Sequence, residues 1–266
     1  MNIGIISGFF LLIVLSGCRK YNEVVVGQYG KKVLSEINSK TSSSESKIML
    51  TYDRNDRLVG YTTTVTLPEN TSKSLVTIKY NDDNFISEIN SNEVYKLKFY
   101  YESPGVIEHT EEFDHKGRVV VTHSYHYDMK GFLKEIIDRL HLGDNEGTFI
   151  KNSYNYDQNG NLTVVMAAIL HPGSKNFVPW RETYYKEYDN KINILPLSMN
   201  HPYIVFNNLP RHNSRKITSI DTKTGAILSI FKNEYVYDDY GYPLSLIQRG
   251  YFGSSELVTK TTYKYK

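Results

Sequence analysis

The chain has 266 residues, with 31 Lys+Arg against 29 Asp+Glu, one Cys and 23 Tyr. A formal net charge of +2 argues against a dedicated nucleic-acid binder, which carries a clustered basic face. The single Cys excludes an internal disulfide framework, a Cys-rich zinc site and a CxxC redox pair.

Residues 3–15 form an uncharged apolar run, too short to span a bilayer comfortably and of the length of a signal-peptide core. The next residues, Leu15-Ser16-Gly17-Cys18, resemble the lipobox of bacterial lipoproteins. The resemblance implies a signal peptide over 1–17, cleavage before Cys18 and acylation of that thiol. Several acyl chains give the stable anchoring that one chain cannot. Met1-Asn2 departs from the pattern, having no Lys or Arg. Arg19 and Lys20 follow the Cys; with no Asp at the second position and no acidic run, sorting rules of that class imply an outer membrane facing the periplasm. Residues 18–30 read as a lipidated tether.

From residue 31 to 266 the chain reads as a single β domain. Its main feature is a repeat with the consensus Tyr-x-Tyr-Asp-x-x-Gly-x-Leu. Copies run over 50–58, 78–86, 111–119, 125–133, 154–162 and 235–243; a truncated copy ends at Tyr188-Asp189 and the last residues include Tyr263-Lys-Tyr265. Tyr-x-Tyr places two aromatics on one face of a strand. The Asp side chain opens a type I turn, and the Gly three residues later takes the left-handed conformation that closes a hairpin with a bulge. Where Gly is missing, Asp56 and Asn84 stand in, residue types that tolerate this region. Less specific turns fall between copies, at Thr41–Ser46, Pro68–Ser72, Ser103–Gly105, His171–Lys175, Asp221–Gly225 and Gly253–Ser255. Counting between turns gives an all-β, up-and-down antiparallel meander of about sixteen strands. A flat sheet of that size is unfavourable, so a strongly curved sheet, open or closed into a barrel, is expected. Residues 190–215, with three prolines, break the rhythm as a long loop of the kind that often carries function.

The motif, the ending Tyr-Lys-Tyr and the interruption after Tyr188-Asp189-Asn190-Lys191 resemble a family of Bacteroidetes-type lipoproteins of unknown function with a porin-like β fold. The short motif is also similar to the tyrosine-aspartate (YD) repeats of polymorphic-toxin shells. Both resemblances imply architecture; neither supplies catalytic residues.

Two candidate sites follow. Tyr125, Tyr127, Tyr154, Tyr156, Tyr235 and Tyr237 occupy equivalent strand positions and would make either an aromatic platform for a glycan, lipid or protein ligand, or cross-strand core packing. If Asp114 pairs with Arg118 and the register continues evenly, His109 falls opposite His123 with Glu111 two residues away, a partial ligand set for a divalent metal. Trp180, the only tryptophan, is expected to cap one end of the core. No GxSxG, HExxH, P-loop or GxGxxG motif is present in its required context, and no cofactor is implied. The expectation is a non-enzymatic envelope lipoprotein. The alternatives are an envelope- or glycan-directed hydrolase and a transmembrane β-barrel. Against the last, strand faces carry charge at Lys79, Lys96, Lys98, Lys134, Lys151, Lys232 and Glu234.

Overall fold

The structure is a computed structural model, and it describes residues 32–91, 96–141, 147–193 and 212–266. The signal peptide, Cys18 and the whole tether lie outside these residues. The described residues form sixteen strands: β1 (Leu34–Lys40), β2 (Glu45–Tyr52), β3 (Leu58–Leu67), β4 (Asn70–Tyr80), β5 (Ile86–Ser91), β6 (Lys96–Ser103), β7 (Val106–Phe113), β8 (Val119–Tyr127), β9 (Leu133–Leu140), β10 (Thr148–Tyr156), β11 (Leu162–Leu170), β12 (Val178–Ile192), β13 (His212–Asp221), β14 (Ile227–Tyr237), β15 (Pro243–Phe252) and β16 (Ser255–Tyr265). Each pairs with the next, and β1 pairs with β16, so the sheet is a closed barrel. Closure removes every free edge, which answers the open-or-closed question physically. The expected break at 190–215 is narrower than its sequence suggests. Strand β12 runs on to Ile192, and β13 resumes at His212.

The repeated motif builds one kind of turn. In the first copy Asp56 N–H donates to the Asp53 carbonyl at 3.0 Å, and Asp53 N–H to the Arg57 carbonyl at 2.9 Å. The Asp53 carboxylate accepts the N–H groups of Asn55 and Arg57 at 2.8 and 2.9 Å. Asp114, Asp128, Asp157 and Asp238 repeat this double acceptance. The closing residue is left-handed at Gly117, Gly131, Gly160 and Gly241, and also at Asp56 (φ 57°) and Asn84 (φ 65°), the two expected substitutes.

Every one of these hairpins also carries a bulge immediately beyond the motif. Tyr52 pairs Leu58 but Thr51 pairs Gly60, so Val59 is extra. The same two-against-one step occurs at Tyr80/Ile86, Phe113/Val119, Tyr127/Leu133, Tyr156/Leu162 and Tyr237/Pro243. The turns after β2, β4, β8, β10 and β14 lie at one end of the up-and-down barrel, here called the motif end; only the Asp114 turn, after β7, lies at the other.

Tyrosines, most of them from the motif, stitch the motif end together. Tyr52, Tyr80, Tyr101, Tyr188 and Tyr265 each donate a hydroxyl to a backbone carbonyl at the start of a strand, those of Leu34, Leu58, Ile86, Leu162 and Pro243, at 2.5–2.8 Å. Burial pushes the hydroxyls of Tyr52 and Tyr80 up to about 12, so they remain donors throughout the neutral range. Changing Tyr52 to Phe strands the Leu34 carbonyl and is expected to lower stability by about 1 kcal/mol. A urea midpoint that does not move in that variant would show that the ladder is incidental.

Inside, Leu34, Leu58, Ile86, Ile89, Leu97, Phe99, Leu133 and Ile136 belong to a continuous apolar core, with Tyr52, Tyr80, Tyr101, Tyr127, Tyr154, Tyr235 and Tyr265 packed against it. Farther from the motif end the inward residues turn polar. Thr110, His123, Asp138, Asn152, Asn233 and Thr261 are all buried, Thr183 bonds Ser219, and Gln248 donates to Asn233.

The outer face is charged, and two of its carboxylates each stand between two lysines. Glu36 on β1 lies between Lys264 at 2.6 Å and Lys47 at 2.9 Å. Glu88 on β5 lies between Lys79 at 2.7 Å and Lys96 at 2.8 Å. Hydrogen bonds from Asn38, Lys264 and Lys47 hold the Glu36 carboxyl at about 2, and those from Lys79, Lys96 and Asn90 do the same for Glu88 against the opposing effect of burial. Both folded values are depressed, so this stabilisation is complete above the ordinary carboxyl value of 4.5 and is lost as pH falls towards about 2. The double variant Glu36→Gln/Glu88→Gln is expected to show a flatter loss of melting temperature between pH 4.5 and 2. Parallel acid limbs in wild type and variant would contradict this.

Candidate functional site

The bulge in the Asp114 hairpin changes the predicted histidine site. Phe113 pairs Val119 as expected, but Glu112, not Glu111, pairs Val121. The register is therefore offset by one: His123 lies opposite Thr110, and His109 opposite Ser124. A one-residue step moves a side chain to the other face. His109 faces outward, its ring stacked on Tyr100 at 4.3 Å, while Glu111 accepts the Tyr100 hydroxyl at 2.8 Å. His123 faces inward and is 4% exposed. The expected metal set of His109, His123 and Glu111 is thus split across the two faces of the wall. Among the described residues no group of three His, Cys, Asp or Glu side chains is arranged to hold a metal ion.

What the offset brings together instead is a charged trio on three adjacent strands, with His123 and Asp138 buried and Glu112 half-buried. His123 Nδ1 lies 2.6 Å from Asp138 Oδ1, and its Nε2 lies 3.3 Å from Glu112 Oε1. Beside them Thr110 Oγ1 bonds the Tyr125 hydroxyl at 3.2 Å. Burial works against a charge on His123, but the contacts with Asp138 and Glu112 outweigh it and raise its pKa above the ordinary imidazole value. Sequence reasoning missed Glu112 and Asp138 because it carried an unbulged register. The signal was present in the strands that follow the motif. Inward residues there are three apart, as in Ile86 and Ile89 or Leu133 and Ile136, rather than two.

The six candidate tyrosines do not form an open platform. Tyr125 is 6% exposed within the core, and Tyr127, Tyr154 and Tyr235 pack against it. Tyr156 packs on Phe132 at 5.1 Å, and Tyr237 stacks on Tyr235 at 5.8 Å. Of the two arrangements open to them, they adopt cross-strand packing inside the barrel. Trp180 does not cap the core either: it stands 40% exposed near the start of β12, with the Arg181 guanidinium 4.5 Å from its ring.

The truncated motif copy has a different fate. Asp189 still accepts two backbone N–H groups, from Lys191 at 3.0 Å and from Asn213 at 3.2 Å. In an ordinary copy the second donor is four residues after the Asp; here it is Asn213, 24 residues on. Tyr237 donates its hydroxyl to the same carboxylate. His212 Nδ1 lies 3.0 Å from Asn161 Oδ1, which ties the returning chain to the neighbouring hairpin. Residues 194–211, including Tyr203 and Phe206, lie outside the described residues.

A shallow recess of about 280 Å³ lies on the wall among Arg139, Phe149, Leu170 and His171. It holds no pair of carboxylates.

Two solved structures share this arrangement of strands. One is a porin-like protein from Bacteroides uniformis ATCC 8492, with a TM-score of 0.63 and 13% identity over 88% of this chain and 98% of that one. The other is a porin-like protein from Bacteroides vulgatus ATCC 8482, with a TM-score of 0.59 and 15% identity over the same shares. The chain has the porin-like fold. A TcdB2–TccC3 toxin structure matches with a TM-score of only 0.30 and 13% identity, over 85% of this chain and 14% of that one, a likeness that carries no argument about architecture. No protein-family profile matches the chain, and no curated protein does. At these identities the porin-like likeness is one of fold alone. This chain's sixteen described strands and closed wall agree with the expectation of an up-and-down β meander.

Proposed function

We propose that this chain is a non-enzymatic scaffold of the bacterial envelope: a water-facing β-barrel held on a membrane through lipidated Cys18, with the outer membrane as its site and the periplasm as the space it faces. The observation that carries the reading is the polarity of the wall. A barrel that crosses a bilayer is apolar outside and polar within. This wall has Leu97, Ile89, Leu133 and Ile136 buried inside and the ion pairs of Glu36 and Glu88 outside. Charges at mid-strand on a lipid-facing surface would each cost about 2–4 kcal/mol, so water is the favoured medium. A barrel that does not insert needs another means of attachment, and Leu15-Ser16-Gly17-Cys18 supplies one. The porin-like barrels of two Bacteroides species are consistent with such an address.

A hydrolase is disfavoured by the chemistry of the trio. A general base must present a ring nitrogen to a nucleophile or to water. Both ring nitrogens of His123 face carboxylates within the wall, and the side chain is 5% exposed. The trio therefore reads as part of the barrel's interior structure.

Changing Cys18 to Ala tests the anchor. The variant is expected to leave the membrane fraction and appear in the soluble fraction without detergent. A variant that stays with the membrane through carbonate washing would overturn the reading and favour a barrel embedded in the bilayer.

A further inference from the structure

Charge on the outer wall follows two different rules. Across β4 to β7 the residues directly opposite one another are Lys79, Glu88, Lys98 and Glu111, a row of alternating sign. Across β12 to β15 the corresponding row is Lys186, Lys216, Lys232 and Arg249. Here four cations stand side by side. Like charges directly opposite on neighbouring strands are destabilising. Elsewhere on the described outer face only Lys40 and Lys260 stand directly opposite with like charge, and Lys40 has Glu45 3.8 Å away on its other side. Glu36, Glu88 and Glu135 lie between or beside other lysines. Among the described residues, Lys186, Lys216 and Lys232 make no ion pair. Arg249 lies 3.7 Å from Glu234 and 3.7 Å from Glu256, beyond hydrogen-bonding distance. Lys186 and Lys232 are exposed, and Lys216 is half-exposed. A local conflict of this kind, kept against folding stability, is a mark of function.

The row has shape as well as charge. Adjacent strands are about 4.8 Å apart, so the four cations span about 15 Å across the strands. Two residues along, on the same face, a parallel row runs Tyr184, Thr218, Ile230 and Tyr251. Its two tyrosines carry the ammonium groups of Lys186 and Lys232 over their rings, at 5.6 and 5.5 Å. The nearby carboxylate of Glu182 accepts the Tyr184 hydroxyl at 2.5 Å.

We propose that the row Lys186–Lys216–Lys232–Arg249 binds a linear polyanion, namely an acidic polysaccharide with one carboxylate per sugar. Such a chain presents charges at intervals close to the strand spacing, and its rings offer C–H faces and hydroxyls to Tyr184 and Tyr251. A nucleic acid is the weaker fit, because the chain's net charge is only +2 and the basic track is short. The inference rests on the water-facing reading, since a wall in lipid would not offer this row to a glycan.

The test uses the full chain carrying Cys18→Ala, with polygalacturonate as probe and neutral dextran, poly-dT and phosphatidylglycerol vesicles as the other arms. Polygalacturonate is expected to bind, weaken with salt, and lose at least tenfold in affinity when Lys186, Lys216 and Lys232 are changed together to Gln. The pair Lys79→Gln/Lys98→Gln, from the alternating row, is expected to leave binding unchanged. Folding gives a second readout. Lys216→Gln removes two like-charge pairs and is expected to raise the melting temperature by ~1–4 °C, whereas Lys79→Gln is expected to lower it. Equal polygalacturonate binding by wild type and the triple variant would overturn the proposal. So would binding of only poly-dT or only vesicles through the row. Failure of the water-facing reading would show separately, as Cys18→Ala protein that stays in the membrane and needs detergent to remain in solution.

Discussion

Replacing His123 with Ala is expected to destabilise the barrel by about 3–5 kcal/mol, because it removes the cation from between two inward carboxylates. Asp138 Oδ1 and Glu112 Oε1 lie 2.6 and 3.3 Å from the imidazole nitrogens. Without the ring those carboxylates keep their desolvation cost and lose their counter-charge. For a domain of this size the fall in melting temperature is of order 10 °C. The pH profile carries the sign. The His123 pKa is raised from 6.5, so the stabilisation it brings is fully present below 6.5 and disappears as pH rises through the folded value. Wild type is expected to lose melting temperature on that alkaline limb, and His123→Ala to show a flatter limb. Adding Glu112→Gln and Asp138→Asn to the His123 variant is expected to recover part of the loss. A His123→Ala protein melting within 2 °C of wild type would contradict the trio's role.

Leu97→Ala is the second large effect, at about 2–5 kcal/mol. Leu97 is 0% exposed and lies in the wall where Ile89, its cross-strand partner, is 1% exposed. The closed sheet cannot collapse locally around the lost methyl groups without pulling β5 and β6 out of register. Met49→Ala is the matched control: Met49 is 52% exposed on the outer face, and its loss is expected to stay within about 0.5 kcal/mol. Urea titration of the two variants separates the predictions. A Leu97→Ala midpoint equal to that of Met49→Ala would mean that the core does not carry the fold.

Much of this architecture could be read directly from the sequence, because its turn chemistry is local. An Asp that accepts two N–H groups and a left-handed residue three positions later announce themselves within nine residues, and Asp56 and Asn84 obeyed the rule without glycine. The site could not be read in the same way, because it depends on register. The bulge beside Phe113 adds one residue to β8, and that single step exchanges His109 for Thr110 opposite His123. The motif at Asp114 also looked equivalent to its siblings, yet it closes the opposite end of the barrel. The basic row was further from view. Its members come from four strands, and only the pairing of β12 to β15 aligns them. The tyrosine positions were correctly located, but whether they pack or face a ligand depends on closure, which no single hairpin reveals.

Closure has a consequence for how the protein is made. Val33 and Lys266 exchange backbone hydrogen bonds at 3.2 and 2.9 Å, and β1 zips along β16 from Leu34 to Lys40. Strand β1 therefore waits for β16, made more than 200 residues later. Until β16 exists, the chain is at best a fifteen-strand sheet with two bare edges, each able to pair with another molecule. Pairing across so long a stretch of sequence is slow, so the newborn polypeptide passes through a period in which aggregation competes with completion. Shielding β1 and β15 during that period would protect the two edges that only β16 covers in the finished wall.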